Sequence, residues 1–230
     1  MTDEQIKELF GVVPYFADTV IAPLSCESMK DQFRASLTWS FNGSINIQRV
    51  VGTMHADYAG LTWRELLKKG RRMYNNIKLY KQKPEYYTTF HESRTPSMSF
   101  FFYDGKGYVT EYGNHRTCIA RFFLYPQKVN FFHGVHVHEQ YTDLRMLGLF
   151  NQLQKILPTY CSITPCSQEV ARDDGDGWAT HYYENTICIE NNRRRGVKKS
   201  FSADELEEEL LPALLNPFKR RFGSYRNLLN

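Results

Sequence analysis

Gly113, Asn114, His115 and Arg116 stand in consecutive places, between a β-forming run at 108–112 and an apolar pattern that begins at Thr117. A strand that turns tightly into a helix leaves the first backbone N–H groups of that helix without intrahelical partners, and the helix dipole adds partial positive charge at the same end. Anions bind at such places. Gly113 lets the main chain approach a ligand closely, Asn114 caps the helix or offers an amide, and Arg116 presents a planar fork that matches phosphate oxygens. His115 adds a second donor or, with a pKa near neutrality, a proton carrier. The expected phosphate-binding set is therefore Gly113, Asn114, His115, Arg116 and Thr117. A plainer reading stands beside it, with Asn114 as an N-cap, His115 as a structural histidine and Arg116 as a surface charge. The segment is neither a Walker loop, which needs GxxxxGK[ST], nor a dinucleotide fingerprint.

Two carboxylates complete the expected chemistry. Glu111 lies two residues before Gly113, which on a strand puts both on one face, so it can hold a magnesium ion or orient water as a third catalytic residue beside His115 and Arg116. Glu139 is the second candidate ligand for that ion; an exposed edge-strand glutamate is the alternative for Glu111. His133, His136 and His138 form an H-x2-H-x-H cluster that reads either as metal ligands, joined by Glu139 or Asp143, or as the polar side of a strand whose Val135 and Val137 face the core. Asp173-Asp174-Gly175-Asp176-Gly177 fails the EF-hand spacing and reads as a solvated turn, and Cys161-x4-Cys166 has the wrong spacing for zinc.

The elements that must position these residues follow from periodicity and caps. Thr2 with Gln5, Thr62 with Glu65 and Ser202 with Glu205 are capping boxes that open helices, the second of which runs to about Asn76. The segment 44–51 is strand-like. The segment 97–103 is a buried strand, Asp104-Gly105-Lys106-Gly107 a tight turn, and the run at 108–112 its antiparallel partner. A helix spans 117–124, strand character covers 131–139, and 143–157 is helical again. Residues 158–200 carry loops and strands, with the segment 186–190 the clearest of them. Pro212 or Pro217 kinks or breaks the last helix. The mixed order gives an α+β class, laid out as an N-terminal arm over 1–40, a core over 41–157 and a C-terminal extension over 158–230.

The run DGKGYVTEYGNHRTCIARF, followed by FHGVHVHEQYTD, resembles the core of the ParB/sulfiredoxin superfamily. There a DG turn, a strand, a Gly-x-[His/Arg]-Arg signature, a helix and a strand ending in an acidic stretch follow one another. The likeness covers about residues 45–145. It implies a small mixed-sheet domain whose signature turn, here Gly113, His115 and Arg116, binds the phosphates of a nucleotide such as ATP. Members of that superfamily include partition proteins, nucleases, sulfiredoxins and plasmid-encoded fertility-inhibition proteins, and the wording GNHRTCIARFF is most similar to the last of these. Two departures narrow what is implied. Sulfiredoxins need a cysteine where this chain has Asn114, and partition proteins carry a helix-turn-helix after the core, which 158–200 does not resemble.

Composition bounds the partners. A net charge of +4 and a pI near 8.7 permit nucleotide or DNA binding without the excess of a duplex-coating protein. The basic residues gather early, at Arg64, Lys68, Lys69, Arg71, Arg72, Lys78, Lys81 and Lys83, and late, at Arg193, Arg194, Arg195, Lys198 and Lys199. Such runs are either solvated faces or contacts for a polyanion such as DNA; the resemblance to fertility-inhibition proteins implies a protein of a DNA-transfer machine as a further partner. The 5 cysteines, an odd number with no apolar leader, and the lack of a long apolar run lead to the expectation of a cytoplasmic chain without a membrane span. The activity that the resemblance implies is ATP-type hydrolysis or DNA cleavage, as in an inhibitor of conjugal DNA transfer; the alternative is a non-catalytic binding protein that engages DNA or a protein partner through its basic faces.

Overall fold

The computed structural model of the chain describes residues 1–24, 31–90, 92–194 and 196–229. Arg195, part of the late basic run, lies outside the described residues. The chain is of the α+β class, with a mixed parallel and antiparallel sheet. It divides into two compact units: one of Met1–Ser25, Thr38–Gln140 and Asp174–Thr180, the other of Cys26–Leu37, Tyr141–Asp173 and His181–Asn230. This differs from the linear layout of arm, core and extension. Ile6, Phe10, Phe16 and Ile21 are at most 5 % exposed, so the first residues are part of the first unit's core rather than a peripheral arm.

In the first unit, α1 (Asp3–Phe10) starts at Thr2 with the expected capping box and ends at Gly11. The strands β1 (Ala22–Pro23), β2 (Arg34–Asn46, in part), β3 (Val50–Thr53), β4 (Ser99–Tyr103), β5 (Lys106–Val109) and β6 (Phe131–Thr142, in part) take the order β1-β3-β5-β4-β6-β2. The pairs β1/β3, β3/β5 and β4/β6 are parallel and β4/β5 is antiparallel. The expected strand over 44–51 is broken: Asn46 caps a single 3-10 turn, Ile47–Arg49, that separates β2 from β3. The antiparallel hairpin forms, but its second strand is Lys106–Val109, two residues earlier than expected and ending before Thr110. Asp104 at φ 47 and Gly105 at φ 77 make the primed turn that matches the twist of the flanking strands.

The helix expected from Thr62 is two helices, α2 (Trp63–Lys69) and α3 (Met73–Gln82), because Gly70 ends the first. A short α4 (Glu85–Thr88) follows. The helix expected at 117 starts earlier, as α5 (Asn114–Leu124), and Thr117, Cys118, Ile119, Ala120, Phe122 and Leu124 are all fully buried. It packs in one cluster with Phe100, Phe102 and Val109 of the sheet and with α1 to α3 through Phe10, Leu66 and Met73. A helix buried on nearly every side is a core helix, so its N-terminus is held in place by what surrounds it.

In the second unit, α6 (Leu144–Ile156) is capped by Asp143, whose Oδ1 accepts from the Met146 amide at 2.9 Å. That fixes Asp143 as a cap. The long strands β7 (Cys161–Gly175) and β8 (Trp178–Asn191), both in this unit except for Asp174–Thr180, pair with each other, and β9 (Lys198–Phe201) pairs antiparallel with β8. Of the acidic glycine-rich run at 173–177, expected as a turn, Asp173–Gly175 end β7 and only Asp176 and Gly177 form the turn into β8. After the Ser202 capping box, α7 (Ala203–Glu205) continues through a π-turn (Leu206–Leu210) into α8 (Leu211–Leu215); Pro217 opens α9 (Pro217–Phe222), and α10 (Arg226–Leu229) follows. Phe33, Phe150, Leu153, Ile187, Phe201, Leu206 and Leu229 form this unit's own core. Among the described residues, no helix is long and apolar enough to cross a membrane.

Candidate functional site

Beside the start of α5 the first unit has a cleft of about 990 Å³. The loop after β3 (His55, Asp57, Tyr58), the α2–α3 turn (Lys69, Arg71, Arg72), one side of α3 (Asn76, Leu79, Lys83), Tyr86 of α4, Pro96 and the segment 111–116 line it. Five basic side chains, Lys69, Arg71, Arg72, Lys83 and Arg116, meet two acidic ones, Asp57 and Glu111. Lys69 is engaged by Glu65 at 2.8 Å. The others leave the cleft positive on balance, which concentrates anions there.

Gly113 is the N-cap of α5 at φ 114, a conformation that strains any residue with a Cβ, and a Cβ there would also meet the Met98 side chain at 3.0 Å. With no side chain on the cap, the first turn is uncapped: the Thr117 amide donates to Gly113 O at 2.7 Å, and no described hydrogen bond uses the amides of Asn114, His115 or Arg116. This is the donor array expected from the sequence.

Asn114 is not the cap. It is only 7 % exposed, and its Oδ1 accepts from the Thr53 hydroxyl at 2.7 Å. That hydroxyl in turn accepts from the His55 amide at 3.0 Å. The pairing ties up the carbonyl end of the Asn114 side chain and leaves the Nδ2 donors, on a residue that lines the cleft, without a described partner.

Arg116 departs from its expected use. Its Nη1 donates to Pro96 O at 2.5 Å and to the Tyr86 hydroxyl at 3.3 Å, and its Nη2 to Ser97 O at 3.0 Å. The fork grips the loop at 96–97 and is not held open for phosphate. Thr117 is fully buried with its hydroxyl shielded from solvent, so it faces the core rather than a ligand. His115 is placed at the cleft but its Nε2 is shielded from solvent against Gly70, where a Cβ would come within 2.9 Å of it. Burial, and then the charges of Arg72, His55 and Arg116, lower the His115 pKa from 6.5 and hold the ring neutral near pH 7. Tyr58 meets the His115 ring edge-on at 5.2 Å and stacks on His55 at 4.4 Å.

Glu111 lies past the end of β5, exposed and at the cleft, not on a strand face. Glu139 sits opposite Phe102 in the β4/β6 register and does not line the cleft. The structure does not bring the two expected magnesium ligands together, and among the described residues no group of three His, Cys, Asp or Glu side chains is placed to hold a metal ion. In the histidine cluster, His133 Nδ1 shares a 2.6 Å hydrogen bond with Ser44 Oγ and His136 meets Phe41 edge-on. The residues that sequence reasoning passed over are Thr53, Arg71, Arg72 and Lys83. The last three were read only as a charged run; their one signal was Gly70, whose helix stop turns Arg71 and Arg72 toward α5.

The fold and cleft define an α+β protein with a cleft, positive on balance, at the uncapped start of a buried helix. No family model, curated protein or solved structure matches the chain.

Proposed function

We propose that this protein binds the phosphate group of a nucleotide at the N-terminal end of α5. The observation that carries the reading is Asn114, a nine-tenths-buried amide at the cleft whose acceptor end is occupied by Thr53 and whose donor end is not. Three uncapped amides stand beside it and Arg72 acts electrostatically on the neighbouring His115, so neutral donors and positive charge converge on one spot. The resemblance to ParB/sulfiredoxin proteins at Gly113, His115 and Arg116 supports the same ligand class. Arg71 and Arg72 replace Arg116 as the charged contacts, and Arg116 shapes the wall.

The donors fit a phosphate, so binding is the primary reading. Hydrolysis of an ATP-like nucleotide or of DNA is a second reading, which the presence of two carboxylates in the cleft, Asp57 and Glu111, favours: either one can orient water toward a bound phosphate. Calorimetric titration with ATP, CTP and inorganic phosphate tests the first. Wild type is expected to bind at least one, and Asn114→Asp, which keeps an acceptor for Thr53 but sets a carboxylate in place of the amide, should lose at least tenfold in affinity. Arg72→Ala, on an exposed residue, should lose affinity without loss of fold. Equal binding by wild type and both variants overturns the site. Phosphate release from ATP by wild type but not by Glu111→Gln would add turnover.

A further inference from the structure

We infer that the cleft accommodates single-stranded nucleic acid laid along α3, not only one nucleotide; this rests on the phosphate-binding reading above and extends it. Arg72, Asn76, Leu79 and Lys83 are spaced at i, i+4, i+7 and i+11, which on an α-helix is a single face, and all four line the cleft. Arg72 and Lys83 are the flanking residues of that helix. At about 1.5 Å per residue they are roughly 16 Å apart along its axis.

The two cations therefore mark opposite ends of the wall. The Arg72 end adjoins the uncapped amides, since its charge reaches His115. The Lys83 end adjoins Tyr86. A mononucleotide carries its phosphates on adjacent P–O–P linkages and can satisfy only one end. A strand carries a charge about every 3.4 Å when its bases are stacked, so the distance corresponds to on the order of five phosphates. The cleft also offers apolar surface that a mononucleotide phosphate site does not need: Leu79, on the helix face between the cations, is 58 % exposed, and Tyr112 elsewhere on the lining is 59 % exposed. Unpaired bases stack on an aromatic ring such as that of Tyr112 whatever their sequence and lie against apolar surface such as Leu79, and a duplex keeps its base faces away from both.

Fluorescein-labelled oligothymidylates and oligouridylates of one to eight nucleotides, titrated into the full chain, test this. Affinity should rise at least tenfold between two and five nucleotides and then level off. Lys83→Glu should weaken the five-mer at least tenfold more than it weakens ATP, and flatten the five-mer's log–log salt dependence by about 0.7 for each phosphate no longer neutralised. Preference for thymidylate assigns DNA and preference for uridylate assigns RNA. Binding of ATP as tight as that of any oligomer, or equal competition by hexaglutamate, overturns the inference and leaves the phosphate site standing. Failure of ATP, phosphate and every oligomer to bind removes the phosphate site itself.

Discussion

The Thr53 hydroxyl donates to Asn114 Oδ1 across 2.7 Å, and this bond decides which end of the Asn114 amide the cleft meets. Thr53 is 1 % exposed and ends β3, while Asn114 begins α5, so a strand end and a helix start are joined by one buried contact. Thr53→Val keeps the shape, removes the donor and leaves Oδ1 and the His55 amide without their partner. An unsatisfied buried group costs about 1–3 kcal/mol, and urea denaturation should show that loss. Affinity for the phosphate ligand should fall with it, because the amide is no longer oriented. Thr53→Ser should restore both. A valine variant that binds as wild type does would show that Thr53 orients nothing.

Arg116 is expected to matter more for stability than for ligand contact. Its fork joins α5 to the carbonyls of Pro96 and Ser97, and a lysine cannot reproduce two such bonds in fixed geometry. Arg116→Ala and Arg116→Lys should therefore lose similar stability, about 1–2 kcal/mol by denaturant titration, given roughly 1 kcal/mol per hydrogen bond. Both should bind nucleotide better than Arg72→Ala does. Undiminished stability together with abolished binding would make Arg116 a ligand fork after all.

His115 sets a pH dependence whose sign follows from its environment. Burial and neighbouring positive charge depress its folded pKa below the unfolded 6.5, so the unfolded chain takes up the proton first. The histidine's contribution to stability is full above pH 6.5, declines as pH falls through that value, and stops changing below the folded pKa. Wild type should accordingly lose more stability than His115→Gln between pH 7.5 and 5.5 in parallel urea titrations. A bound phosphate favours the protonated ring, so nucleotide binding should take up protons at the acid end of this range, which calorimetry in buffers of different ionisation enthalpy measures. Identical pH profiles for the two proteins would place His115 outside this linkage.

Much of the fold was legible because local signals were consistent there. Three capping boxes at Thr2, Thr62 and Ser202 form as written, and the Asp104-Gly105 turn pairs β4 with β5. Side-chain–backbone bonding and tertiary packing defeated propensity elsewhere. The run at 44–51 is rich in β-branched residues, yet Asn46 accepts from the Gln48 amide and breaks it, a contact that propensity does not encode. The first residues look peripheral until Ile6, Phe10 and Phe16 are seen inside the cluster around α5. At the site, Gly113 was readable from residue type, because only its backbone was at issue. Arg116 was not: an arginine fork fits a phosphate and a pair of carbonyls equally well, and its direction depends on a loop twenty residues earlier. Arg72 was hidden for the complementary reason, since a charge run does not show which of its members faces inward.

Arg121 offers a test of how this core tolerates a buried charge. The side chain is 4 % exposed, and its guanidinium lies between the rings of Phe16 and Trp63, at 4.1 and 4.2 Å. Its Nε and Nη1 are shielded from solvent with no hydrogen-bond partner among the described residues, and burial pushes its pKa well below the ordinary arginine value. Two cation–π contacts of about 2 kcal/mol each in a desolvated setting oppose a desolvation penalty of several kcal/mol. Methionine fills the same slot, keeps favourable contact with both rings and removes the two unpartnered donors. Arg121→Met should therefore be neutral or stabilising by up to about 2 kcal/mol, whereas Arg121→Ala, which leaves a void between the rings, should cost about 2–4 kcal/mol. Both are measured by urea denaturation at pH 7. A methionine variant that loses more than about 3 kcal/mol would mean that the ring contacts outweigh the cost of burying the charge.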